Sequence, residues 1–401
     1  MDRQLAKSAA ARIVLFLAAT SAAQSQQVWV VGAPGPGVLS QEIQPAIDAA
    51  AEGDVILVKS GGGQGLPWLI QGKSLTLIRD SNASTVVAPG AVAGLQVTQS
   101  ALVRGFQILK HLDIANNAGP VWIEDCQVFT TALISQGANA LISINNCASV
   151  TLQRCTVTAY EVDPPSPPAL FSSGSLVYVS ASIIKGGKGP DGFNCFRCHG
   201  ADAVRIQSGT LFATGCTFQG GNAGLAGGDP QVLGHNGGDG LDNAGDATLI
   251  DTLLFGGSAS VGPAGPGIPG APFVGVAPTI LPGVARSFAM SSPVRESNAI
   301  VLSLGGVPNE TAAIYYSPSQ MIGLPFPAFD AVFAVSFVGA NSFPLGVISS
   351  GGTLSATFQA PVLPAPILGA TVYAQSFFFD SPLTYLVVGP ASSLVVLDSS
   401  L

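Results

Sequence analysis

Charged side chains make up only 9% of this 401-residue chain, 15 Lys and Arg against 23 Asp and Glu, for a formal net charge of −8. A phosphate backbone is held by clustered bases, so this scarcity argues against nucleic acid as a partner. Histidine occurs only at 111, 199 and 235, too thin a supply for an imidazole-rich metal site. Beyond the first residues, no uninterrupted apolar run reaches the roughly 20 residues of a membrane-spanning helix. What is abundant is Gly (49) and Pro (29), which points to a loop-rich β protein. Disorder is excluded as the alternative, because 47% of the residues are hydrophobic and offer ample surface to bury.

The chain opens with Arg3, Lys7 and Arg12, the apolar run IVLFLAA (13–19) and the small residues Ser21, Ala22, Ala23 and Ser25. That order is a secretory signal peptide, expected over 1–23, and the run is too short for a bilayer anchor. A secreted or cell-surface protein follows. Removing residues 1–23 takes away three bases and Asp2, leaving 12 basic against 22 acidic side chains. Cysteine is confined to 126, 147, 155, 195, 198 and 216, and export permits disulfides among them.

Residues 40–59, SQEIQPAIDAAAEGDVILVK, place Ile43, Ile47 and Ala50 or Ala51 on one helical face, with Gly53 as the stop and VILV as a buried strand. This segment, with GKSLTLIRD (72–80) after it, resembles the start of bacterial exported right-handed parallel β-helix proteins of the pectin-lyase-like class. The resemblance implies a solenoid whose open end is covered by that helix.

Internal repeats argue for the same fold independently. Residues 112–131 align without gaps with 141–160, matching Asn116-Asn117 to Asn145-Asn146, Val121 to Val150, Ile123 to Leu152 and Cys126 to Cys155. The apolar spacing p, p+2, p+5, p+7 recurs at Ala101, Val103, Phe106, Ile108; at Leu176, Tyr178, Ala181, Ile183; at Leu211, Ala213, Cys216, Phe218; and at Thr248, Ile250, Leu253, Phe255. Period-two alternation turns these side chains inward, and no rung buries its apolar face alone, so the rungs must stack. Cys126, Cys155 and Cys216 then read as small buried hydrophobes.

CFRCHG (195–200) has the spacing of a covalent haem site. Residues 200–218 align with 237–255 at an offset of 37, however, which puts the motif at the mouth of an ordinary rung. No packed haem pocket fits there, and nothing in the sequence sets His111 or His235 opposite His199. A local Cys195–Cys198 disulfide, or a pair of thiols, is expected instead. GGDGLDNAG (237–245) fits a calcium nonapeptide except at Ala244, but its aligned turn carries Arg205 where Asp242 stands, and a glycine turn is the plainer reading. No cofactor, metal or catalytic residue is assigned.

Hydrolases of this fold carry paired carboxylates, a GHG turn and a downstream RIK. Here GHNG stands at 234–237 and RIQ at 205–207, upstream. Lyases of this fold use carboxylate-held calcium with an Arg or Lys base, and Arg104, Glu124, Asp125 and Arg154 could stack on one outer face to that end, but they suit a solvated ion-pair ladder equally well, the commoner outcome. The glycine-rich loops after IIKGG (183–187), FQGG (218–221) and FGG (255–257) should share one corner and hold Asp191, Asp229 and Asp239, where binding usually resides.

Domain organisation reads as a β-helix over 24–256, a Gly/Pro-rich linker over 257–283 and a β-sandwich accessory domain over 284–401, with strands such as AIVLSLG, TAAIYYS and TLSATFQA between Pro, Gly and Ser turns. The function expected is non-catalytic: adhesion or glycan binding outside the cell. The alternative is a polysaccharide lyase or glycoside hydrolase. Fold alone decides neither.

Overall fold

The structure is a computed structural model that describes residues 26–401 except 82, 84, 131–139, 161–166, 192–197, 226–232, 327–330 and 381–385. The expected signal peptide lies outside the described residues.

Three long sheets of parallel strands, of eleven, eight and seven members, form the walls of a β-helix. One coil contributes one strand to each wall, as Leu112–Ala115, Val121–Glu124 and Gln127–Phe129 do. The inward positions form one continuous apolar core from Val31 to Leu249. At the start, the helix Ile43–Ala49 buries Ile43, Ala46 and Ile47 over the first coil. The Lys73 ammonium donates to the carbonyls of Ile47 and Ala50 at 3.0 Å, satisfying the end of that helix.

Register follows the expected alignment in part. Val121 pairs with Val150 and Ile123 with Leu152. Asn116 does not lie on Asn145. The preceding wall is offset by one more residue, Ala115 against Asn145, so Asn116 neighbours Asn146 and Asn117 neighbours Cys147. In the next coil the inward residues are Val177, Val179 and Ile184, each one place on from the expected Leu176, Tyr178 and Ile183. In the last full coil they are Ala247, Leu249 and Leu254, not Thr248, Ile250 and Phe255. The cause is one corner that shortens along the solenoid: nine residues from Val92 to Ala101, seven from Ile114 to Val121, six from Ile144 to Val150, five from Ser172 to Val177 and four from Asn243 to Ala247. A slip of one residue turns every side chain of a strand to the opposite face.

A second corner is stacked from Phe106, Cys126, Cys155, Ser182, Cys216 and Thr252. The four free cysteines among the described residues, Cys126, Cys147, Cys155 and Cys216, are all buried. Each Sγ lies near the carbonyl two residues back, 3.3 Å for Cys126 to Glu124, and Ser182 Oγ donates to Ser180 in the same way at 2.8 Å.

Residues 257–283 are not strand-free: Phe273–Gly275 and Thr279–Leu281 add a further partial coil to two of the walls. The C-terminal part then forms a three-stranded and a five-stranded sheet around a core that includes Phe288, Leu302, Ile314, Phe343 and Leu394. Its position was not foreseen. The outer face of the five-stranded sheet lies on the eleven-stranded wall: Val395 and Leu397 pack on Val55, Leu57 and Ile78, and Tyr373 and Ala391 on Leu102 and Trp122. Solenoid wall, five-stranded sheet and three-stranded sheet are thus three successive layers.

Candidate functional site

The ladder expected on the outer wall exists. Arg104 Nη2 lies 2.8 Å from Asp125, and Arg154 lies 2.7 Å from Asp125 through Nε and 2.5 Å from Glu124 through Nη2. It is not solvated. Glu124 is 1% exposed and accepts from Ser392 Oγ (2.5 Å) and Ser393 N (3.0 Å) of the C-terminal part. Arg104 donates to the Ser393 and Met290 carbonyls, and Arg154 to that of Phe288. The expectation of a solvent-facing ladder fails because its neighbours on the same outward face, Leu57, Leu102 and Trp122, are apolar and had to be covered. Burial pushes the Asp125 carboxyl up, but Arg104 and Arg154 more than reverse this and hold it below the usual range. The same two carboxylates raise Arg154 above its ordinary value against the effect of burial. Both carboxylates are held by Arg104 and Arg154, and Glu124 is covered by the C-terminal part, so the wall offers no open carboxylate pair to a polymer.

The glycine-rich loops do meet at one corner, in three tiers: 186–191 with 198–202, 220–225 with 233–240, and 256–260 with 267–272. Backbone hydrogen bonds zigzag through them, from Ala201 N to Gly187 O (2.9 Å), Gly221 N to Ala201 O (2.7 Å), Gly238 N to Gly221 O (2.8 Å), Gly257 N to Gly238 O (2.8 Å) and Gly270 N to Gly257 O (2.9 Å). A Cβ on Gly221 would fall on the carbonyl oxygen of Gly187, well inside contact distance. The composition therefore has a steric cause: only glycine lets these backbones come so close. The loops are a packed block, and that gives their side chains fixed positions.

Those side chains climb from tier to tier. Asp202 Oδ1 accepts from Asp239 N at 2.8 Å, and Asp239 Oδ1 from Ala271 N at 2.6 Å. Arg205 bridges Asp202 (2.6 Å) and Asp242 (2.7 Å), with its side chain 42% exposed. Burial raises the Asp239 carboxyl above its ordinary range; the bond from Ala271 opposes this, and the charges of Asp202 and Asp242 add to it. Asp191 pairs with Lys188 at 2.5 Å and accepts from Leu225 N at 2.8 Å. Asp229 lies outside the described residues.

His199 Nδ1 accepts from Asn236 N at 2.9 Å, and its ring meets that of buried His235 edge-on, centroids 5.6 Å apart. The sequence argument missed this pairing. A signal was present, since His235 immediately precedes Asn236, which the offset of 37 sets opposite His199. Cys198 is disulfide-bonded, and Cys195, the partner expected for it, lies outside the described residues. In the calcium-like stretch, Leu241 and Asn243 point into the solenoid, while Asp242 is taken by Arg205. Among the described residues no group of three or more His, Cys, Asp or Glu is placed to hold a metal ion.

No protein-family model matches the chain, and no curated protein matches its sequence.

The corner thus offers a rigid, uneven surface on which partly exposed carboxylates recur at about the 4.8 Å rise of a coil beside the guanidinium of Arg205. Such a surface can exchange hydrogen bonds with a hydroxyl-rich ligand at several points without reorganising.

Proposed function

We propose that this chain is an exported β-helix protein of the pectin-lyase-like kind that binds glycan at the cell surface or outside the cell, without cleaving it, through the loop corner of Asp202, Arg205, Asp239 and Asp242. The observation that carries this reading is a contrast in access. Glu124, 1% exposed, is engaged by two arginines and roofed by the C-terminal part, and Asp125 is clamped between those same arginines, whose side chains are only 4% and 19% exposed against 42% for Arg205. Arg205 and Asp242 stand in reach of solvent. Three carboxylates against one guanidinium repel a polyuronate, so a neutral or amino-sugar glycan is the expected ligand.

The test is a glycan array read alongside a substrate panel. Binding without product, weakened at least tenfold by Arg205→Ala together with Asp242→Ala, supports the proposal. New reducing ends or unsaturated uronates would establish instead the lyase or hydrolase alternative.

A further inference from the structure

The two ends of the solenoid differ. The first coil is closed by the helix Ile43–Ala49, whose outer side carries Gln44 hydrogen-bonded to Asp48 at 2.8 Å. The last coil is not closed by anything among the described residues. Phe273 pairs with Leu241 and Ile280 with Leu249, so both occupy inward positions. Leu241 and Leu249 are 0% and 1% exposed, yet Phe273 is 40% and Ile280 71% exposed. These inward positions have no further coil stacked on them among the described residues. The chain leaves for the C-terminal part, whose described residues pack on the side wall.

From Thr252 to Ala285 there is no charged residue. Over the same stretch Leu253, Phe255, Val261, Val276 and Val284 are exposed too. Apolar surface this concentrated marks a contact site. The charge pattern indicates what covers it. Two copies of an acidic chain repel each other over most of their surfaces, and this end is a face where that repulsion is absent. The opposite end cannot serve as its complement, because the helix closes it with a polar side.

We propose that the open end of the solenoid is a self-association surface on which two copies of this chain pack tail to tail. A twofold arrangement lets the exposed inward residues of one last coil cover those of the other and closes the assembly at two chains, whereas head-to-tail stacking would grow without limit.

Sedimentation equilibrium of the full chain at about 50 µM, a concentration that populates even a modest dimer, is the test. The expected mass is twice the 40.3 kDa of one chain. Val276→Glu with Ile280→Glu is expected to weaken association at least tenfold while leaving the circular dichroism and melting temperature unchanged, since both side chains are already exposed. Asp48→Lys, at the closed end, is expected to leave the mass unchanged. A monomeric wild type, a dimer that survives the double substitution, a dimer lost in Asp48→Lys, or filaments in place of dimers would each overturn the proposal.

Discussion

The indole of Trp122, on the solenoid wall, and the phenol ring of Tyr373, on the five-stranded sheet, meet edge to face with centroids 5.2 Å apart and planes at 75°. Both are buried, 1% and 5% exposed. The contact binds two parts of the chain that are 251 positions apart in sequence, and aromatic pairs in this geometry add to the burial of their area. Trp122→Ala should therefore cost about 3–5 kcal/mol, the range for emptying a large buried site. The check is urea unfolding followed by circular dichroism. Solenoid and C-terminal part should unfold together in the wild type, with the midpoint falling sharply in the variant.

Two aspartates respond to acid in opposite senses. Asp125, held below the ordinary range by Arg104 and Arg154 against the effect of burial, contributes stability that is present above the unfolded aspartate value of about 3.9 and lost as pH falls through its lower folded value. Asp239 is raised, chiefly by burial. Its contribution is full below about pH 3.9 and lost as pH rises through its folded value, so acidification toward pH 4 relieves it. Urea midpoints measured from pH 7 down to pH 2.5 should show Asp125→Asn flattening the loss below about pH 4. Asp239→Asn should remove the loss that sets in as pH rises above about 4.

Burial pushes the thiols of Cys126 and Cys216 up to about 12, and that of Cys155 well above its ordinary value. As thiols rather than thiolates, and out of solvent, they should not react with a disulfide reagent at pH 8 in the native state, and all should react after unfolding in guanidinium. Stability should also fall as pH rises above about 8.5, where the unfolded thiols begin to ionise and the folded ones do not. Because Ser182 already occupies this corner stack with an equivalent hydrogen bond, Cys155→Ser is expected to cost no more than about 1.5 kcal/mol.

Gly221→Ala should separate the loop block from the coil beneath it. Its new methyl would strike the Gly187 carbonyl, a backbone atom that cannot rotate away, and overpacking of this kind costs about 1–3 kcal/mol. Gly35→Ala, whose methyl would meet nothing closer than 3.8 Å, is the control and should stay within about 0.5 kcal/mol. If the corner binds glycan, Gly221→Ala should lower that binding and Gly35→Ala should not.

The solenoid was legible because Val121, Ile123 and Cys126 recur as Val150, Leu152 and Cys155, and stacking forces one pattern on every coil. Legibility failed where strands are apolar on both faces, because the spacing p, p+2, p+5, p+7 then fits either face. In residues 176–179 both faces are apolar, and it is Val177 and Val179 that point inward, while Tyr178 faces outward onto Phe212, Ile250 and Val332. The covered wall had a visible signal, since VILV (55–58) and the pair Leu102 and Trp122 put apolar groups on both faces of their strands. A strand so composed is buried on both sides. What covers it could not be read, because the cover comes from residues hundreds of positions away. At the loop corner, the match of Asp202 with Asp239 was readable from the offset of 37, and the same offset brings His235 within one residue of the position opposite His199, although the edge-on contact of the rings is set by the loop geometry.

The docking of the C-terminal part on the solenoid wall decides which carboxylates a ligand can reach, and one cross-link tests it directly. Thr76 Oγ1 and Thr371 Oγ1 lie 3.4 Å apart, both buried between the two layers. Thr76→Cys combined with Thr371→Cys should close into a disulfide under mild oxidation, recovered as one linked pair of peptides in a non-reducing digest. If both cysteines stay unlinked in folded protein, the wall is open and the assignment of binding to the loop corner is contradicted.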